Sequence, residues 1–200
     1  MRRVLLFTLA IVLAGCASRG GERTQAPADA AERLQLARES ALADRADFGM
    51  LGRIAVRHGD SAGSGRFDWQ QRGSTYTLNF LAPVATRNWR LEVRPGKAVL
   101  IEANGAVRLA ASAEELLARE LDWRLPADAL RYWVLGVRAP EVPGQVEYDA
   151  DGHLRLIEQS GWTIRYEEFD DTRVPALPRK LRARSGDREV RIVVRRWTLG

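Results

Sequence analysis

Residues Gly59-Asp60-Ser61-Ala62-Gly63 of this 200-residue chain match the G-x-S-x-G pattern of a serine hydrolase. That elbow needs a strand before the serine, a helix after it, and a histidine to take the proton. Here alternating residues on both sides predict strands, so His58 to Gly63 reads as a hairpin turn. Only His58 and His153 could serve as base. His58 is too near Ser61 in the chain for the usual arrangement, and His153 lies in Asp151-Gly152-His153, itself a turn signal. Two histidines and one cysteine offer no metal-ligand spacing. No P-loop or G-x-G-x-x-G marks a nucleotide site. The carboxylate pairs Glu167-Glu168 and Asp170-Asp171 would point to opposite faces of a strand. No catalytic residue, metal or cofactor is expected; an esterase built on Ser61 is the enzymatic alternative.

The reactive group that does stand in a motif is Cys16, the only cysteine, at the end of Leu13-Ala14-Gly15-Cys16. Arg2 and Arg3 open the chain, and Val4 to Val12 is apolar. This apolar run is too short to cross a bilayer, which takes about 20 residues, and reads as an export signal. Leu-Ala-Gly before cysteine resembles the lipoprotein signal-peptidase site. The expected chemistry is removal of residues 1–15 and acylation of the Cys16 thiol. That would also consume a thiol otherwise left unpaired in an oxidising compartment. Two or more acyl chains give a stable anchor, at about 0.8 kcal/mol per buried CH₂.

Length and an apolar content of 46% fit one domain with a single core. The formal charge is +5, carried almost wholly by arginine, since Lys97 and Lys180 are the only lysines. The arginines are scattered and alternate with apolar residues. They read as solvated strand faces, and no nucleic-acid partner is expected.

Residues 16–28 have no apolar period and read as a flexible tether after the anchor. Asp29 followed by Glu32 suits a helix start, with Ala30, Leu34, Ala37 and Ala41 on one face to about Asp44. From Phe48 the period becomes two. Leu51 to Val56, Phe67 and Trp69, Tyr76, Leu78 and Phe80, then Trp89, Leu91 and Val93 alternate with polar residues. Pro95-Gly96 and Asn104-Gly105 bracket another strand, Ala98 to Ile101. Ser112 to Glu115 is a capping box for a helix to Leu121, and Pro126 to Gly136 bounds a second, with Leu130, Trp133 and Val134 on one face. Strands resume at Gln145–Tyr148, Leu154–Ile157 and Trp162–Tyr166. A loop marked by Pro175 and Pro178 follows, then Leu181–Arg184 and Val190–Trp197. The expected fold, over residues 29–200, is mainly β with an α insert. It is an open, unclosed antiparallel barrel of about eleven strands, with helices covering an apolar cavity.

Gly65-Arg66-Phe67-Asp68-Trp69-Gln70-Gln71, Pro83-Val84-Ala85-Thr86, Ser112 to Leu117 and Leu130 to Gly136, in this order behind the Cys16 motif, resemble the LolB family. The resemblance implies an open eleven-stranded barrel and an outer-membrane lipoprotein receptor, in which Ala17 rather than aspartate after the cysteine signals the outer membrane. It implies acylated lipoprotein cargo received from a LolA-like periplasmic carrier and delivered, without energy input, to outer-membrane phospholipid by a monomer facing the periplasm. It makes Pro83, Val84 and Ala85 the membrane-insertion loop, where the family often has leucine and then glycine in place of Val84 and Ala85. Trp69, Tyr76, Leu78, Leu91, Leu130, Trp133, Trp162 and Trp197 are expected to line the acyl-chain cavity. The bland alternative makes them ordinary core. A lipid- or lipoprotein-sensing lipoprotein on the same scaffold is the alternative function.

Overall fold

A computed structural model describes residues 25–43, 47–140 and 142–200. Cys16 and the leader lie outside the described residues. Helix α1 (Gln25–Ala43) precedes a meander of β1 (Asp47–His58), β2 (Ser61–Arg72), β3 (Thr75–Leu81), β4 (Trp89–Arg94), β5 (Lys97–Glu102) and β6 (Val107–Ala110). Helices α2 (Ala113–Leu121) and α3 (Ala127–Trp133) follow. The chain then forms β7 (Gly144–Tyr148), β8 (Leu154–Gln159), β9 (Trp162–Asp170), β10 (Leu177–Ser185) and β11 (Arg188–Leu199). All eleven strands join one antiparallel sheet in the order β6-β5-β4-β3-β2-β1-β11-β10-β9-β8-β7. The first and last strands therefore meet at its centre. The two strands that flank the helical insert are its edges, and the barrel stays open between them.

Alternation explains which face turns inward. In β4, Trp89, Leu91 and Val93 are buried between exposed Arg90 and Arg94. Tyr76, Leu78 and Phe80 do the same in β3. The inward residues of both halves and the apolar faces of α2 and α3 form one hydrophobic cluster, so the sheet curls around the insert. The capping box holds: Ser112 Oγ accepts from the Glu115 N–H at 3.1 Å, and Glu115 reaches back to the Ala111 N–H at 3.3 Å. Gly136, at φ +74°, ends the turn after α3 as the sequence suggests.

Five local expectations change. Helix α1 begins at Gln25, not Asp29, within the stretch expected as tether; Pro27 falls in the first turn, where its missing N–H breaks no helical bond. Glu32, expected in a capping box, instead accepts from Tyr148 Oη at 2.5 Å and pairs with Arg138 at 3.3 Å. The buried face of α1 is Ala31, Gln35 and Leu42, while Leu34 is exposed. Its packing side mixes Ala31 and Leu42 with Gln35 and Arg38, which bond to backbone, and an apolar period cannot reveal those partners. The turn expected from His58 to Gly63 is confined to Gly59 and Asp60, and Ser61 already pairs with His58. Pro178 lies inside β10, beside a register shift that absorbs its missing N–H.

Candidate functional site

A small dry space lies between the sheet and the helical insert. Trp69, Tyr76, Leu78 and Leu91 supply the sheet wall, and Leu117, Trp123 and Leu130 supply the helical wall. Its free volume is about 20 Å³. One water needs roughly 10–15 Å³, so the interior is closed and nearly filled in this conformation. Trp69 stacks on Tyr76 at 5.0 Å, Phe80 stacks on Trp89 at 4.9 Å, and Trp123 meets both rings of the latter pair edge-on. The Tyr76 hydroxyl is buried with no hydrogen-bond partner among the described residues, and burial pushes its pKa well up.

Trp123 was not singled out by sequence reasoning. It is placed by Asp122, which turns the chain at φ +53° so that the Trp123 N–H reaches Leu117 O at 3.0 Å. A Cβ at Gly63 would lie 2.5 Å from the Trp123 ring. The last glycine of the apparent hydrolase motif therefore makes room for a tryptophan. His58 Nδ1 lies 3.2 Å from Asp122 Oδ1. Hydrogen bonds from His58 and Ser61 hold the Asp122 carboxyl below the usual range. Serine and histidine thus both address the carboxylate rather than each other, and a strand, not a helix, follows Ser61.

The other half of the interior is stitched by polar groups. Trp133 Nε1 donates to Gln159 Oε1 at 2.9 Å, and the Tyr166 hydroxyl donates to Trp133 O at 2.9 Å. Gln159 also accepts from Ala139 N at 2.8 Å and donates to Ala139 O and Val142 O at 2.8 and 2.6 Å. Arg38 donates to Leu135 O at 2.7 Å and Gly136 O at 3.2 Å, so α1 satisfies the carbonyls that follow α3. Burial pushes the Arg38 pKa down to about 10, which leaves it charged at neutral pH. Trp162 packs on Trp133 at 6.2 Å between centroids, and Trp197 donates to Pro178 O at 3.0 Å. Of the expected lining residues, Trp69, Tyr76, Leu78, Leu91 and Leu130 share the dry space. Trp133, Trp162 and Trp197 are buried outside its lining.

Pro83, Val84 and Ala85 stand exposed in the loop after β3, with Val84 57% accessible. The base of this loop is fixed. Asn88 accepts from Ala82 N at 2.9 Å through its side chain and from Ala103 N at 3.0 Å through its backbone. A one-turn 3-10 helix, Ala85–Arg87, follows directly. Elsewhere, Asp149, Asp151 and His153 come together at the exposed β7–β8 turn, where Asp149 accepts from the backbone N–H groups of Asp151 and His153. This is turn chemistry.

An unclosed antiparallel barrel, curled around a dry interior and roofed by helices inserted between its edges, defines a half-barrel protein. The crystal structure of a LolA superfamily protein from Nitrosomonas europaea matches with a TM-score of 0.54 over 85% of this chain and 93% of that one, at 10% identity. That likeness concerns the fold alone. The sequence goes further: the family model for outer membrane lipoprotein LolB matches residues 46–197, and this chain belongs to the LolB family. An outer-membrane lipoprotein LolB from Xanthomonas campestris pv. campestris is 34% identical, covering 100% of this chain and 97% of its own length. Those of Xylella fastidiosa and Pseudomonas fluorescens are 33% and 32% identical, over 97% and 98% of this chain and 92% and 96% of theirs. Family membership gives the chain its place as a lipid-anchored protein of the outer membrane and its role in lipoprotein localisation. No described helix is long and apolar enough to cross a membrane.

Proposed function

We propose that this chain accepts acylated lipoproteins from a LolA-like periplasmic carrier and releases them into the outer membrane without energy input. The observation that carries the reading is the dry space between Trp69, Tyr76, Leu78 and Leu91 on the sheet and Leu117, Trp123 and Leu130 on the insert. At about 20 Å³ it is too small for an acyl chain, so cargo enters by moving the roof. The roof has a natural hinge. Its Trp133 end is held by the buried bonds to Gln159 and Tyr166, whereas the Leu117–Trp123 end faces the interior with apolar groups only. The polar ties at that end, Asp122 to His58 and Ser61, Arg119 to Leu109 O and Glu120 to Arg108, are at the rim, where such contacts contribute little.

An acyl chain leaving water gains on the order of 10 kcal/mol, at about 0.8 kcal/mol per CH₂. The opened interior shields the chain, and the bilayer completes its transfer because it surrounds the chain fully. Val84 acts at that second step. It is an exposed apolar side chain on a pinned loop, able to enter the bilayer surface while the Cys16 anchor keeps the barrel close. The anchor is a placing device: a Cys16→Ala form should still take cargo from the carrier. The test is a two-stage transfer assay with purified carrier, this chain and liposomes. Val84→Glu should leave uptake from the carrier intact and reduce incorporation into liposomes at least tenfold. Unchanged incorporation overturns the loop's role. Failure of the parent chain to receive acylated protein at all favours the sensing alternative.

A further inference from the structure

The outer face of the sheet carries a feature that neither the cavity nor the anchor uses. One cross-strand row reads Leu81 on β3, Arg66 on β2, Arg53 on β1, Val193 on β11 and Lys180 on β10. Arg53 and Arg66 are exposed and directly opposite each other. Like charges in that position disfavour the pairing of their strands. Other basic residues on this face share carboxylates, Arg184 and Arg191 with Glu189, and Lys180 and Arg182 with Glu167. Arg53 and Arg66 make no ion pair among the described residues.

The two guanidinium groups border an open groove of about 600 Å³, whose other walls include Leu81, Ala82, Pro83 and Val193. Leu81 and Val193 are 43% and 39% accessible, so apolar surface flanks the arginine pair on both sides. Pro83 belongs both to this groove and to the exposed Val84 loop. A Cβ at Gly65, another groove residue, would lie 2.6 Å from Leu81 O, so glycine permits the close approach of β2 and β3 here. The result is a continuous surface that is apolar at Val84, Pro83 and Leu81 and doubly cationic one strand further in. Its complement is a bilayer surface, apolar below and anionic at the level of the phosphates. Arginine forks bind phosphate oxygens in bidentate fashion, and a shared phosphate would relieve the repulsion between the pair.

We infer that Arg53 and Arg66 form a headgroup site for anionic phospholipid, which orients the barrel on the membrane with the Val84 loop downward. This rests on the proposed role of that loop. Among the described residues every buried core residue lies between Ala31 and Trp197, so the chain from Ala17 onward retains all of them and lacks the acyl anchor that would dominate binding. Its co-sedimentation is measured with vesicles of phosphatidylcholine alone and with phosphatidylglycerol added. Each basic residue near an anionic surface contributes about fivefold, so the pair should give a preference of about 25-fold that falls with salt. Arg53→Gln/Arg66→Gln should abolish most of that preference and leave binding to phosphatidylcholine unchanged. Arg94→Gln/Lys97→Gln, which removes the same charge from the exposed hairpin at the opposite end of β4, should retain it. Equal loss in both double variants, or loss in neither, overturns the site. Val84→Asn, which removes the apolar side chain without adding charge, should lower binding to both vesicles by the same factor. If it changes nothing while the arginine effect persists, the loop reading fails and the headgroup site stands.

Discussion

The two halves of the interior are built from the same kinds of residue and held differently. Around Trp69, Tyr76, Leu91 and Trp123 the sheet meets the helices through rings and aliphatic side chains, with a small dry space left over; the buried hydrogen bond there, from Trp69 Nε1 to Gln71 Oε1 at 3.0 Å, stays within β2 and does not tie the sheet to the helices. Around Trp133 and Trp197 the buried polar groups have partners: the two indole N–H groups donate to Gln159 Oε1 and Pro178 O, and Tyr166 and Arg38 donate to the carbonyls of Trp133 and Leu135, which fixes orientation. Dispersion contacts tolerate rearrangement, because one set of apolar neighbours can replace another. Buried hydrogen bonds do not, because each broken bond strands a polar atom. On the proposed mechanism, the difference assigns opening to one half and holding to the other.

The largest test breaks the fixed half. Gln159→Ala leaves the Trp133 indole N–H, Ala139 N and O, and Val142 O without their partner. It should destabilise the fold by about 4 kcal/mol in urea unfolding, since each stranded buried group costs roughly 1–3 kcal/mol. Leu91→Ala, at a fully buried position in the other half, should cost about 3 kcal/mol by cavity formation. It should also raise binding of an apolar fluorescent probe, which Gln159→Ala should not. Equal probe binding in the two variants would erase the distinction between the halves.

The smallest effect concerns the hold of α1. Burial alone would raise the pKa of Glu39, but hydrogen bonds from Arg138 and Gln35 outweigh it and hold the carboxyl below its usual range. A depressed folded pKa contributes stability above the unfolded value and loses it as pH falls through the folded one. Acidification below about pH 4.3 should therefore loosen α1. The change is under about 1 kcal/mol for so partly exposed a pair, and Glu39→Gln should flatten it. Hydrogen exchange along α1 as a function of pH reads this directly.

Most of the sheet was legible because alternation states which face turns inward, and turn residues such as Pro95-Gly96 and Asn104-Gly105 state where strands end. The capping box at Ser112 and the glycine stop at Gly136 are equally local. What alternation does not encode is position around the curve. Trp69 and Trp162 carry the same inward signal, yet the pairing of β1 with β11 and the path of the insert put only Trp69 against the dry space. The packing side of α1 was hidden for another reason. Gln35 and Arg38 serve carbonyls of Leu135 and Gly136, about a hundred positions away, and such partners leave no periodic trace. Trp123 depended on Asp122 adopting a left-handed conformation that glycine or asparagine would have advertised.

The most direct test of the account follows where an acyl chain goes. Lipoprotein cargo carrying a photoactivatable diazirine in its acyl chain is loaded from the carrier onto this chain, irradiated, and the adducts mapped by mass spectrometry. Adducts concentrated on Trp69, Tyr76, Leu91, Trp123 and Leu130 are the predicted result. Adducts concentrated instead on Trp162 and Trp197, or spread over the outer face of the sheet, would contradict it.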